Sequence, residues 1–218
     1  MNRIIYLHGF ASGPGSSKAR FFRERLERLG ANVEAPDLAA GDFEHLTITG
    51  QLAVIREAVG TEPVELIGSS MGGYLAALFA ARHAEVRRLV LLAPAFGFAR
   101  RWAEQLGKEK VEIWRRSGWM EVFHYADGEP RRLSYALLED GAQYEDYPDF
   151  RQSALIFHGR QDEVVPAAYS EEFAAGHANV KLEVLNSGHE LLNVLDYMGE
   201  KVERFLLGKA IRAENRNP

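Results

Sequence analysis

Apolar and polar positions along the chain alternate between two periods. Ile4-Ile5-Tyr6-Leu7 is a short continuous apolar run and predicts a strand over 3–8. Ala19, Phe22, Leu26 and Leu29 then recur at three- and four-residue spacing, the stripe of an amphipathic helix punctuated by Gly30. A weaker strand at 32–35 is stopped by Pro36-Asp37, and a helix from about Thr49 carries Leu52, Ile55 and Val59. The same alternation continues with strands at 64–67, 88–92, 154–158 and 180–185. Helices are expected at 71–82, near 168–175 and from about His189 onward, the last showing Leu191, Leu195, Met198, Val202 and Phe205 on one face. The polar stretch 212–218 reads as a frayed tail.

Runs such as Leu89-Val90-Leu91-Leu92 are apolar at every position, which implies burial on both faces. The predicted fold is therefore α/β: a doubly wound, mainly parallel sheet of about six strands covered by helices on each side. Ligands of such sheets gather beyond the carboxyl ends of the strands. The interval 96–150 breaks the alternation and holds Trp102, Trp114 and Trp119, the three tryptophans of the chain. It reads as a cap inserted into a core made of 1–95 and 151–211.

Composition narrows the function. A net charge of −5 offers no general attraction for nucleic acid or an anionic membrane, and no apolar run is long enough to span a bilayer. With no cysteine, disulfides, thiolate metal sites and cysteine nucleophiles are excluded. The first apolar run is too short for a signal peptide, and together these features lead us to expect a cytoplasmic protein. Gly13-Pro14-Gly15-Ser16-Ser17-Lys18 lacks the spacing of a phosphate-binding loop. No dinucleotide fingerprint opens a helix, and no histidine and carboxylate set has metal-ligand spacing.

Gly68-Ser69-Ser70-Met71-Gly72 fits G-x-S-x-G. The bare pattern arises by chance in roughly one chain in fifteen, so its context decides. Here it lies between a strand and a helix, where a sharp turn exposes the central serine and its neighbours two positions away must lack side chains. Ser69 lacks a glycine two positions before it, which leaves Ser70 as the nucleophile. A serine hydroxyl needs a base, and His189 follows the last strand in Ser187-Gly188-His189. His45, His83, His124 and His177 have no partner motif. The acid that fixes the imidazole is Asp162, in His158-Gly159-Arg160-Gln161-Asp162; its neighbour Glu163 is the rival. The expected oxyanion donors are the N–H groups of Met71 and Phe10, with His8 bracing the first loop. Phe96 and Phe98 adjoin a strand end and are the expected pocket contacts; the cap aromatics either join them or form the cap's own core. The arginine pairs of the cap either meet the phosphates of a coenzyme A thioester or form solvated helix faces.

The chain resembles the α/β-hydrolase superfamily over nearly its whole length. Its N-terminal part is similar to the YqiA/YcfP-like small bacterial esterases in Ile4-Ile5-Tyr6-Leu7-His8-Gly9-Phe10, Ser16-Ser17-Lys18-Ala19 and Gly68-Ser69-Ser70-Met71-Gly72-Gly73-Tyr74. That resemblance implies a cofactor-free serine esterase acting on small-molecule acyl esters or thioesters, built on a parallel sheet without extra antiparallel strands. An acyltransferase or a carbon–carbon bond hydrolase on the same three residues is the alternative. A binding module that has lost catalysis is a third reading, disfavoured because every member of the set is present. Oligomeric state has no sequence signature here.

Overall fold

The computed structural model describes residues 2–208; the expected frayed tail at 212–218 and the last residues of the expected core lie outside them. The chain begins with β1 (Arg3–Leu7), α1 (Ser17–Glu27), β2 (Asn32–Glu34) and α2 (Ile48–Val59). There follow β3 (Val64–Ser69), α3 (Met71–Ala80) and β4 (Val86–Leu92). A long segment then comprises α4 (Phe98–Ser117), the strands β5 (Trp119–His124) and β6 (Glu129–Ser134), and α5 (Ala136–Gly141). The chain returns to the sheet with β7 (Ser153–Gly159), α6 (Ala168–Ala175), β8 (Val180–Leu185) and α7 (Leu195–Leu207), the last preceded by a single 3-10 turn at Leu192–Val194.

Six strands form one sheet in the order β2-β1-β3-β4-β7-β8, every neighbouring pair parallel. The fully apolar strands divide their side chains between two cores, as their pattern requires. Leu89 and Leu91 of β4 face one side with α2, α3 and Phe173 of α6. Val90 and Leu92 face the other, with Phe22 and Leu26 of α1 and Met198, Val202 and Leu206 of α7. Strand order reverses between β1 and β3, so the loops leaving their carboxyl ends diverge and open a crevice there. Registers pair Leu7 with Gly68, Ser69 with Leu92 and Gly159 with Leu185, which brings the ends of β1, β3, β7 and β8 to one edge.

Boundaries differ from the sequence reading in three informative places. Helix α2 starts at Ile48 because the Thr47 side chain caps it, accepting the Gly50 N–H at 2.9 Å. Strand β1 stops at Leu7, leaving His8 free to turn away from the sheet. The final helix begins at Leu195 rather than near His189, because Leu191 takes a left-handed backbone (φ 56°) that interrupts any helix there.

Between β4 and β7 the chain makes an antiparallel hairpin, β5–β6, which stands apart from the main sheet. Helix α4 is kinked at Gly107, whose φ of 78° and ψ of 157° lie outside the helical region. The segment is anchored through Trp114, which is buried and donates its indole N–H to the Leu133 carbonyl at 3.0 Å. Trp114 also meets Trp102 and Tyr135 edge-on, with ring centroids 5.2 and 5.5 Å away. Among the described residues no helix is long and apolar enough to cross a membrane.

Because that indole joins helix to hairpin, Trp114→Ala is expected to lower stability by about 3–5 kcal/mol. Urea unfolding measures it. A loss below about 1 kcal/mol would mean that the segment is held by other contacts.

Candidate active site

Ser70 sits in the turn between β3 and α3 with φ 54° and ψ −117°, a backbone that side-chain-bearing residues avoid. Holding it costs about 1–3 kcal/mol, and close packing on every side supplies the restraint. The Ser70 N–H donates to Leu92 O at 2.8 Å, and Ser70 O accepts the N–H groups of Gly73 and Ala95 at 3.0 and 2.9 Å. A Cβ on Gly68 would lie 2.7 Å from Gly73 Cα, and one on Gly72 would collide with the carbonyls of Leu7 and His8. The two glycines flanking the serine are thus required by backbone meeting backbone.

The loop after β1 lies against this turn. A Cβ on Gly9 would come within 3.4 Å of Ser70 Cβ, so the peptide of Phe10 follows immediately beside the serine. His8 is buried and pins the loop at both ring nitrogens. Its Nε2 accepts the Leu38 N–H at 3.2 Å, which leaves the proton on Nδ1 to be donated to Gly9 O at 3.0 Å. Burial pulls the His8 pKa below its ordinary 6.5, although the Gly9 hydrogen bond opposes this. No described acceptor takes the N–H of Phe10 or of Met71.

His189 and Asp162 come from the loops after β8 and β7. His189 Nδ1 donates to Asp162 Oδ2 at 2.8 Å, and its Nε2 lies 3.0 Å from Ser70 Oγ. The structure therefore brings Ser70, His189 and Asp162 into one hydrogen-bonded chain. Glu163 lies outside it. Asp162 Oδ1 accepts the N–H groups of Val164 and Val165 at 2.9 and 2.8 Å, a local turn that fixes the carboxylate plane. Burial alone would raise the Asp162 pKa. Hydrogen bonds from His158, His189 and the Val165 N–H prevail and hold the carboxyl well below the usual range.

His158 is a partner that sequence reasoning passed over. It is fully buried in β7, with Nε2 2.8 Å from Val165 O and 3.2 Å from Asp162 Oδ2. Two acceptors there require the proton on Nε2, so Nδ1 accepts from the Ser170 hydroxyl at 2.7 Å. A strand histidine four residues before an aspartate was the only available signal, and periodicity alone assigns such a residue to the core.

Beside Ser70 is a cavity of about 510 Å³, whose walls include Tyr6, Phe10, Lys18, Ser70, Tyr125, Val164 and His189. Phe96 and Phe98, expected on its wall, do not line it. Phe96 stacks on Phe173 at 4.4 Å in the core, and Phe98 packs behind Phe10 and Trp102. A strand-end aromatic beneath a covering helix gains more from full burial than from a wet wall. The cavity takes Tyr125 from the β5–β6 turn, whose N–H donates to Ala11 O at 2.7 Å. The arginine pairs are largely occupied. Arg100 bonds Asp146, Arg115 and Arg116 bond Glu112, Arg131 bonds Asp127, and Arg132 pairs with Glu44. Arg101 is buried, joining Phe96 O at 2.9 Å to Val164 O at 3.3 Å. Their disposition favours structural pairing over a phosphate platform.

A doubly wound parallel sheet with a strained serine turn after its third strand is the α/β-hydrolase fold, and the protein is an enzyme of that type. The model of the family described as "Uncharacterised protein family (UPF0227)" matches residues 3–206, and the chain belongs to that family. It is 27% identical to 2-hydroxymuconate semialdehyde hydrolase of Pseudomonas putida, over 85% of this chain and 79% of that protein. It is 28% identical to 2-hydroxy-6-oxo-2,4-heptadienoate hydrolase, also of Pseudomonas putida, over 76% and 74%. Among solved structures, Est1E of Butyrivibrio proteoclasticus with ferulic acid bound superposes with a TM-score of 0.79 at 24% identity, covering 95% of this chain and 89% of that one. Alpha/beta hydrolase domain-containing protein 10 from mouse gives 0.78 at 20% identity, covering 94% and 90%.

The buried His8 links stability to pH. Its folded pKa lies below the unfolded 6.5, so the unfolded chain takes up the extra proton. Stability is intact above 6.5 and falls as pH drops through that value until the folded ring itself is protonated. Between pH 7 and 5, wild type is expected to lose more unfolding free energy than His8→Gln, by up to about 1.4 kcal/mol per pH unit. Parallel pH dependences in denaturant titrations would exclude His8 as the source.

Proposed function

We propose that the protein is a serine hydrolase that cleaves a carboxylic ester or thioester through an acyl-serine intermediate. The observation that carries this reading is the chain from Asp162 through His189 to the strained Ser70, with the last link at 3.0 Å. Ser70 Oγ attacks the acyl carbonyl as His189 Nε2 takes its proton, and Asp162 stabilises the resulting imidazolium. The carbonyl oxygen becomes an oxyanion, held by the N–H groups of Phe10 and Met71. When the tetrahedral adduct collapses, His189 returns the proton to the departing alcohol or thiol. A water molecule, deprotonated by the same nitrogen, then attacks the acyl-serine and releases the carboxylic acid. Segment 96–150 serves as the cap, with Tyr125 closing one side of the cavity.

The names of the curated relatives favour a second reading. A 2-hydroxy-6-oxo-2,4-heptadienoate contains no ester, so its hydrolase must add water across a carbon–carbon bond. The same serine, base and oxyanion donors could serve that chemistry in this chain.

A fluorophosphonate probe should label wild type at Ser70 and leave Ser70→Ala unlabelled. His189→Ala should lower kcat on p-nitrophenyl acetate by about 10³-fold or more, since base and nucleophile act as a unit. Near-wild-type turnover by His189→Ala, purified free of host esterases, would displace His189 from the role of base. To separate the two readings, product analysis should find acid plus alcohol or thiol from ester and thioester substrates, with no cleavage of a vinylogous 1,5-diketone acid. The reverse pattern would make the enzyme a carbon–carbon hydrolase.

A further inference from the structure

The cavity at Ser70 has a polar corner that hydrolysis itself does not use. Lys18, in the first turn of α1, is 8% exposed, and its ammonium lies inside the protein beside the base. One of its three N–H groups donates to the carbonyl of Glu190, the residue after His189, at 3.0 Å. The nearest carboxylate, Glu190 Oε2, stands 3.7 Å away on a side chain that is 73% exposed, too far for a hydrogen bond and open to water. Burial pulls the Lys18 pKa below its ordinary value, while Glu190 and Asp162 oppose the shift. A buried ammonium with donors to spare and a distant counter-ion is costly unless an anion joins it.

Tyr6 lies on the same cavity wall. Its ring is fully buried against Phe22, and its hydroxyl is the buried side-chain polar atom among the described residues that has no hydrogen-bond partner. The hydroxyls of Ser69 and Ser16 lie near enough to favour its ionised form, yet neither meets it in hydrogen-bonding geometry. Burial pushes the Tyr6 pKa up, so the group remains a donor. An orphaned donor inside a close-packed core needs a reason. Ser12 and Ser16 complete this wall with two more hydroxyls, whereas Phe10, Tyr125 and Val164 form the remaining apolar part.

We propose that Lys18 and Tyr6, flanked by Ser16, form a carboxylate-binding corner beside Ser70, and that the substrate is a small acyl ester carrying a second, free carboxylate. The proposal rests on the hydrolase reading above and names its substrate class. The carboxylate accepts one hydrogen bond from the ammonium and, once its entry uncovers the buried Tyr6 hydroxyl, a second from that group, both charge-assisted. The apolar wall receives the hydrocarbon between the two functional groups, and a cavity of about 510 Å³ suits a small substrate. Whether the carboxylate belongs to the acyl or the alcohol portion depends on which way the ester lies across Ser70.

The test compares charged and neutral esters in a pH-stat. Monomethyl glutarate against methyl valerate places the charge on the acyl side; acetoxyacetate against propyl acetate places it on the alcohol side. Wild type should prefer the charged member of at least one pair by about tenfold or more in kcat/KM, the scale of one charge-assisted hydrogen bond. Lys18→Met should collapse that ratio, Lys18→Arg should retain most of it, and Tyr6→Phe should reduce it several-fold through KM. Glutarate should also slow fluorophosphonate labelling of wild type and not of Lys18→Met. A wild type that labels at Ser70 yet shows no charged preference in either pair overturns the carboxylate corner and leaves the hydrolase reading standing. Equal loss on charged and neutral esters in Lys18→Met, without loss of the ratio, overturns it too, because the lysine then merely braces the Glu190 loop. Failure of wild type both to label and to turn over any ester brings down the hydrolase reading and this proposal with it.

Discussion

The site depends on one backbone contact, the close approach of the β3–α3 turn to the end of β1. Gly72 sits where a methyl group would strike the carbonyls of Leu7 and His8, and Gly68 sits where one would strike Gly72 and Gly73. That proximity lets the chain reverse within one residue, with Ser70 taking the positive φ that the reversal demands. The same contact sets the serine beside the Gly9–Phe10 peptide, so a single steric fact places Ser70 and the N–H groups proposed as oxyanion donors. Helix α3 follows at once, and every residue from Met71 to Ala80 is buried, which makes it the rigid centre of the molecule.

Everything else at the site arrives on longer loops, and each loop is tied down by hydrogen bonds and close packing from neighbouring elements. Asp162 is held by two N–H groups of its own turn and by His158, itself fixed by Ser170. The loop after β8 is pressed against β7, where a side chain on Gly159 would lie 2.8 Å from Ser187 C. Lys18 reaches the same loop from α1 and donates to the Glu190 carbonyl. Arg101 fastens the first turn of α4 to the Val164 carbonyl, coupling the inserted segment to the aspartate loop. A displacement of 1 Å in any of these would break the hydrogen-bonded chain from Asp162 to Ser70 on which the proposed proton transfer rests.

Charge is arranged with the same economy. The exposed arginines of the inserted segment are matched to carboxylates, some on the same helix or hairpin and others, Asp146 and Glu44, on neighbouring loops, so they contribute solubility and modest local stability rather than an anion platform. The cation that faces the cavity is instead Lys18, which the sequence presents within an unremarkable run of glycine, serine and lysine. Its meaning comes from burial, and burial is a property of the packed chain.

How much was legible beforehand follows from the range of the forces involved. The parallel sheet could be read from fully apolar strands, and the strained serine turn from glycines at two-residue spacing, because both signals are local consequences of sterics and solvent exclusion. The placement of Ser70, Asp162 and His189 after β3, β7 and β8 was also visible, since a parallel sheet carries every strand end to the same edge. The sequence could not show that Leu191 would turn left-handed and free His189 from a helix. It could not show that Phe96 and Phe98 would be drawn into the core while Tyr125 took a place on the cavity, nor that Tyr6 would be left with an unanswered hydroxyl. Those outcomes depend on which distant surfaces compete for the same apolar volume and the same hydrogen-bond partners, and that competition exists only once the layers have packed.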